Sequence, residues 1–305
     1  MATRRKNNKK MSKSGKIALT IFLSLLLFLL IVVGVAAVNA GTVRVRRAEV
    51  IMPDLPASFD GATILFITDI DLCGLNTAQK SSALFKRLQT LHPDMLILGG
   101  DYTSTSLLDI LNRTGNDAVS NSKKLRERSS FFHYISDFDA PLGKFAISSP
   151  DDPDINDLDQ LMLETGVRPL YNDRAAISFG SDRLWLVGIS NESANLNATG
   201  NSFARDDCVI VAAYSPSVLP ILLTSEASNG GRWADVVLSG HTHGGQIRIF
   251  GRNALQLNHQ EQQYISGWFM ENGLPVLVSE GLGCEGANLR VNTTPEVWFI
   301  KLCRT

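Results

Sequence analysis

Histidine is scarce in this chain of 305 residues, with five in all, and cysteine is scarcer still at four. Cys73, Cys208, Cys284 and Cys303 are far apart and form no C-x-x-C pair, which excludes a zinc knuckle and a thioredoxin-like redox site. Whether any two of them pair in a disulfide is left open. Acidic residues are missing altogether before Gly41, where seven basic ones stand. From Gly41 onward, 22 of the 29 Lys and Arg face all 30 Asp and Glu, a formal charge of −8 that argues against nucleic acid as a partner. No repeat of fixed period is present, so a solenoid is excluded, and 44% apolar with 19% charged residues excludes a disordered chain.

Charge is also absent from residues 17–38, "IALTIFLSLLLFLLIVVGVAAV". As a helix this run of 22 residues would reach about 33 Å, enough to cross a bilayer core of about 30 Å. The preceding Arg4, Arg5, Lys6, Lys9, Lys10, Lys13 and Lys16 place the N-terminus in the cytoplasm by the positive-inside rule. The expected organisation is a basic cytoplasmic tail over 1–16, a transmembrane anchor over 17–38 and an extracytoplasmic domain over 43–303. A cleaved signal peptide is the competing reading, because Val38-Asn39-Ala40 has the small-residue pattern of a cleavage site. The apolar run is longer than a signal-peptide core of about 7 to 15 residues, which favours the anchor.

Beyond the anchor, "VRVRRAEV" alternates like a strand, and no flexible linker intervenes. Short β-rich runs then alternate with helix-like stretches: "ATILFIT", 77–91, "DMLILGG", 123–138, "GKFAIS" and 155–165. The second half continues with "RLWLVGI", "DCVIVAAY", a helical stretch near 217–226, "DVVLSG", "LPVLVSEG" and "EVWFIKL". That alternation predicts an α/β architecture. Residues 102–122 and 190–206, rich in Ser, Thr, Asn and Gly, read as loops near strand ends, where open α/β sheets place their sites. The N-x-S/T triplets at Asn112, Asn191, Asn197 and Asn292 read as chance matches.

Three of the predicted strands end in residues of metal-ligand type. "LFITDID" delivers Asp69 and Asp71, "LILGGD" delivers Asp101, and "SGHTHGGQIRIF" delivers His241 and His243. Alternate residues of a strand point the same way, so each pair spaced by two is expected to converge. Carboxylates and imidazoles suit Mn, Fe, Zn or Mg, and two carboxylates about 4 Å apart repel by roughly 4 kcal/mol without a cation between them. Gly99, Gly100 and Gly240 allow tight turns at the sheet edge, and Gly244 and Gly245 let backbone approach a bound group.

From about residue 43 to 302 the chain resembles the calcineurin-like metallophosphoesterases, in particular their membrane-anchored bacterial branch, and "GHTHGGQ" is the most specific match. "LPASFDGATILFITD", "APLGKFAI", "VLVSEGLG" and "TPEVWFIKL" support the register. The resemblance implies a four-layer αββα sandwich with two metals, read through motifs D-x-H, G-D, G-N-H-D, an isolated His and G-H-x-H. It further implies that Asp69 binds the first metal, Asp101 bridges both, His243 goes to the first and His241 to the second.

The departures from the pattern are specific. Asp71 stands at the histidine of D-x-H, "SSPD" at 148–151 replaces G-N-H-D, so that Ser149 and Pro150 take the places of Asn and His, and Tyr214 takes the place of the isolated His. A first site of Asp69, Asp71, Asp101 and His243 is therefore expected to hold one ion, whereas the second keeps only Asp101 and His241 and is expected to be empty or weakly filled. Two-metal hydrolysis uses both ions to hold phosphoryl oxygens, and Pro150 handles no proton. Asp151 or Asp152 is a replacement acid or, more simply, a turn residue. Glu280, where relatives commonly have arginine, and Glu285 flank the site or serve as surface acids.

Two functions are compatible with these residues. One is a membrane-anchored phosphoesterase that cleaves a phosphoester or pyrophosphate bond by metal-activated water, on a phosphate-containing small molecule or a lipid-linked substrate. The other is a degenerate pseudo-phosphoesterase that binds a phosphate-containing ligand or a protein partner.

Overall fold

The structure is a computed structural model that describes residues 12–106, 117–150, 152, 155–191, 194–253 and 255–305. Asn112 and Asp151 lie outside them. Helix α1 (Lys13–Ala40) is capped by Ser12, whose hydroxyl accepts from the Gly15 N–H at 3.1 Å. It is long and apolar enough to cross a membrane, and only Ala36 and Ala40 are buried. Strand β1 (Arg44–Ile51) follows within four residues.

The first half of the domain then runs through β2 (Thr63–Ile67), α2 (Ala78–Leu88), β3 (Met95–Leu98), α3 (Asp117–Ile135), β4 (Gly143–Ala146), α4 (Ile155–Glu164) and β5 (Arg168–Pro169). The second half adds β6 (Arg174–Phe179), β7 (Asp182–Ile189), β8 (Val209–Ala213) and β9 (Val236–Ser239). A small hairpin of β10 (Arg248–Ile249) and β11 (Arg252–Asn253) precedes β12 (Gly267–Glu271), β13 (Leu274–Val278) and β14 (Glu296–Cys303).

Two six-stranded sheets result, ordered β1-β14-β2-β3-β4-β5 and β12-β13-β9-β8-β7-β6. In each, the central strands β2, β3, β4 and β7, β8, β9 run parallel, and antiparallel pairs form toward the edges, β14 on β2, β12 on β13 and β6 on β7. Strands β3, β8 and β9 are buried at every residue, which is why they read as unbroken apolar runs rather than as alternation.

The residues of each sheet split between two apolar layers. Phe66, Ile97, Leu186, Ile210 and Leu238 meet between the sheets. Leu65 and Leu96 face outward onto Phe85 of α2, Phe131 of α3 and Met162 of α4. Across the molecule, Val209, Val211 and Val237 pack under Trp233, Leu219 and Tyr264. The αββα layering implied by the resemblance is therefore the layering found, although the second outer layer consists of short helical turns. All four cysteines are free thiols.

Some boundaries differ from the sequence reading. Helix α3 starts at Asp117, six residues early, and the helical stretch near 217–226 contracts to turns at Pro216–Val218 and Leu219–Leu222. Edge strands β6 and β12 were not expected; half-exposed on one flank, they lack the dense apolar runs of the central strands.

Candidate metal centre

The candidate ligands sit beyond the ends of their strands, not on them. β2 stops at Ile67, β3 at Leu98 and β9 at Ser239. Asp69, Asp71, Asp101, His241 and His243 all have left-handed backbone, with φ between 49° and 71°. The expectation that strand alternation gathers each pair is thus corrected: the pleat has ended before the first ligand, and of each pair only one member, Asp69 or His243, enters the cluster with Asp101. The left-handed conformation costs an L-residue about 1 kcal/mol or more. Cross-loop bonds offset the cost, with Asp69 N–H donating to Gly100 O at 3.1 Å and Asp71 N–H to Asp101 O at 2.9 Å. His241 N–H donates to Asp69 Oδ1 at 2.8 Å, tying the β9 loop to the β2 loop. Gly240 is required here, because a Cβ would collide with the Thr68 side chain and sit 2.8 Å from Asp69 Oδ2.

Asp69, Asp101 and His243 come together, each offering one ligand atom within 4.8 Å of the others. Asp71 joins from the side, its Oδ2 3.6 Å from His243 Nδ1. Asp69 Oδ2, Asp71 Oδ2 and His243 Nδ1 are all buried without a hydrogen-bond partner. Buried polar atoms are normally satisfied, so these orphans, two on members of the cluster and one on Asp71 at its flank, fit a nearby cation.

The electrostatics agree. Burial, then the neighbouring Asp101 charge, raises Asp69 from 3.8 to about 7 and pushes Asp71 well above the usual carboxylate range. Burial, with the Arg290 charge, drives His243 down to about 3, leaving a neutral imidazole suited to ligation.

His241 is arranged differently. Its Nδ1 lies 3.5 Å from Asp101 Oδ2, its Nε2 3.5 Å from Glu261 Oε1, and its ring 4.6 Å from that of Tyr214. Burial alone would lower its pKa, but the hydrogen bond and charge of Asp101, with Asp69 and Glu261, outweigh this and raise it to about 9. The half of the site where the resemblance implies a second ion is thus lined by an imidazole engaged at both nitrogens. Ser149 is buried there, its side chain hydrogen-bonded to Asp101, and Pro150 and Tyr214 line an adjoining cavity of about 290 Å³ with Ser215, His241 and Glu261.

Asp152 accepts from the backbone N–H of Ser149 at 2.8 Å and of Tyr102 at 3.2 Å, so both its oxygens pin the loop and the turn reading holds. Glu280 is likewise structural, accepting from Thr294 N–H at 2.7 Å. Glu285 lies at the rim, its N–H bound to Gln246 Oε1 at 2.8 Å.

Two residues escaped the sequence reading. Glu261 is buried, accepts from Ser215 and Ser217 hydroxyls at 3.0 and 3.1 Å, and closes a capping box with Asn258. Its only sequence signal, N-x-x-E, announces a helix start. Arg290 is fully buried and donates to the carbonyls of Gly281, Gly283 and His243. No motif marks it. Glu261→Gln is expected to lower the His241 pKa by less than Asp101→Asn does, since Glu261 is the smaller contributor; imidazole NMR titration of the cation-free protein reads both.

No family model matches the chain. Individual proteins do. The uncharacterized metallophosphoesterase YkoQ of Bacillus subtilis is 26% identical over 211 residues, covering 65% of this chain and 73% of YkoQ. The phosphodiesterase YaeI of Escherichia coli is 26% identical over 216 residues, 69% of this chain and 70% of its own length. A bovine transmembrane protein with metallophosphoesterase domain is 25% identical over 273 residues, 83% of this chain and 55% of that protein. The chain is similar to metallophosphoesterases over most of its length. It spans only about half the length of the bovine relative, and a phosphoesterase-like function, divalent metal use and membrane association are what these relatives support.

Proposed function

We propose that the chain is a single-pass membrane phosphoesterase, anchored by α1 with its N-terminus cytoplasmic and the 43–303 domain outside, which holds one divalent cation and cleaves a phosphate ester beside it. The observation that carries this reading is the trio of buried, unpartnered ligand atoms on Asp69, Asp71 and His243. Asp69, Asp101 and His243, with Asp71 at their flank, would hold the ion. When bound, the ion is a Lewis acid that withdraws charge from a phosphoryl oxygen and activates water.

The protein's own groups supply the rest. His241, protonated below about pH 9, places a positive charge on the cavity wall, suited to attract an anionic ester. Asp101 and Glu261 fix its ring from either side. Ser215 and Ser217 donate hydroxyl hydrogen bonds to Glu261 and hold its carboxylate beside the His241 ring. Pro150, which lines the same cavity, supplies no proton.

A second reading, a binder without turnover, is favoured by the enclosure of His241 against Tyr214. Metal analysis of the full chain in detergent, followed by hydrolysis of a generic phosphodiester with Mn added, separates the two. One ion per chain with turnover supports the enzyme; one ion without turnover supports the binder; no ion rejects both. Asp101→Ala is expected to weaken cation affinity by more than about 100-fold, beyond the loss seen when only the groups around ligands are changed.

A further inference from the structure

Among the described residues Phe250 is the most exposed large apolar side chain of the domain, fully open to solvent, and its neighbour Ile249 is 52% exposed. Both stand at the tip of the β10–β11 hairpin, where Arg248 pairs with Asn253 and Ile249 with Arg252. The two turn residues, Phe250 and Gly251, have φ of 50° and 75°. That is the geometry of a two-residue hairpin turn that favours Asn-Gly, and a bulky aromatic at its first position has no packing partner to justify it. Arginine flanks the apolar tip on both strands.

The hairpin's position gives this pattern a direction. It is the continuation of the "GHTHGGQ" loop, and its base is pinned to residues 290–292. Ile247 bridges Val291, Arg248 N–H donates to Val291 O at 2.9 Å, and Asn292 Nδ2 donates to Arg248 O at 2.7 Å. Arg290 N–H in turn donates to Ala36 O at 3.1 Å. Ala36 lies two residues inside the end of the apolar run 17–38 of α1, about 3 Å along the helix axis. The segment that seats the hairpin therefore lies at the level where the apolar part of α1 ends, and the two-residue strands carry the tip about 7 Å from it. Aromatic residues flanked by arginine suit the headgroup layer, where the ring meets acyl chains and the guanidinium meets anionic phosphate.

We propose that the β10–β11 hairpin is a second membrane contact: Phe250 and Ile249 enter the bilayer interface, Arg248 and Arg252 meet anionic headgroups, and the metal loop is laid against the membrane surface. The inference rests on α1 spanning that membrane, and not on catalysis. It deepens the proposed function by making the substrate a phosphate ester presented at a lipid surface.

The test uses the full chain in vesicles of equal parts phosphatidylcholine and phosphatidylglycerol, with Phe250→Trp as probe and wild type as the background for the four native tryptophans. The variant keeps an aromatic at an exposed position, so folding is not at stake. The new indole is expected to emit at shorter wavelength and to lose intensity when the phosphatidylcholine carries brominated chains. Vesicle flotation reads the anchor separately. A chain that floats while the new indole stays unquenched overturns the hairpin contact and leaves α1 and the phosphoesterase reading standing; a chain that does not float overturns the anchor and the contact together. Arg248→Gln with Arg252→Gln, or vesicles of phosphatidylcholine alone, is expected to reduce the quenching, and unchanged quenching would overturn the headgroup role. A wavelength shift without bromolipid quenching, lost on dilution of protein in lipid, would assign the tip to a second copy of the chain instead.

Discussion

Arg290→Ala is expected to lower the melting temperature by roughly 10 °C, the largest effect of any single substitution near the site. The guanidinium is fully buried and reaches Gly283 O through Nε at 3.2 Å and Nη2 at 2.6 Å, Gly281 O at 3.4 Å and His243 O at 3.3 Å. Truncation leaves three carbonyls facing a buried void. Breaking such a buried charged network costs about 3 to 5 kcal/mol, and about 2 to 4 °C accompanies each kcal/mol in a domain of this size. The Arg290 charge also opposes the upward shifts of Asp69 and Asp71 and keeps His243 neutral, so its loss disturbs the ligands as well as the loop. Arg290→Lys is expected to recover little, because one ammonium cannot span carbonyls that a planar fork reaches from several nitrogens. Thermal unfolding of both variants in detergent is the measurement, and a lysine variant as stable as wild type would show that charge alone is what the site needs.

Why Arg290 and Glu261 were invisible in the sequence, when the ligands were not, follows from how each is positioned. Asp69, Asp101, His241 and His243 fall at fixed offsets from apolar runs that become β2, β3 and β9, so local pattern and site coincide. Arg290 acts through carbonyls of residues 243, 281 and 283, and Glu261 through a histidine 20 residues upstream; neither partnership leaves a periodic trace. The layers were legible for the same reason as the ligands, because the strands buried on both faces are continuous apolar runs. Edge strands β6 and β12 were not, since solvent replaces packing along one flank. The backbone conformation of the ligands was misread as pleated. Asp and His tolerate left-handed turns when a local hydrogen bond holds them, and nothing in a sequence separates that outcome from one more residue of strand.

The cation-free protein is expected to lose stability as pH rises from 6.5 to 9, and a divalent cation to restore it most at the alkaline end. His241 is raised from 6.5 to about 9 in the fold, so its contribution is complete below 6.5 and is lost as pH climbs through 9. A displacement of that size is worth up to about 3 kcal/mol. Asp69 and Asp152, each raised from 3.8 to about 7 chiefly by burial, hold protons in the fold that the unfolded chain has released, and so also weaken the fold as pH rises between those values. His243, lowered from 6.5 to about 3, acts oppositely, costing stability as pH falls below 6.5. Below 6.5 these contributions cancel in part; above it only the falling ones remain. A cation needs Asp69 and Asp71 deprotonated, so it competes with protons and binds more tightly as pH rises. At a thousandfold excess over its dissociation constant it adds about 4 kcal/mol, close to what the empty site has lost. Melting curves with chelator and with Mn, taken from pH 5 to 9, are expected to diverge steadily with pH. Parallel curves, offset by the same amount at every pH, would mean that any stabilising ion binds somewhere other than these carboxylates.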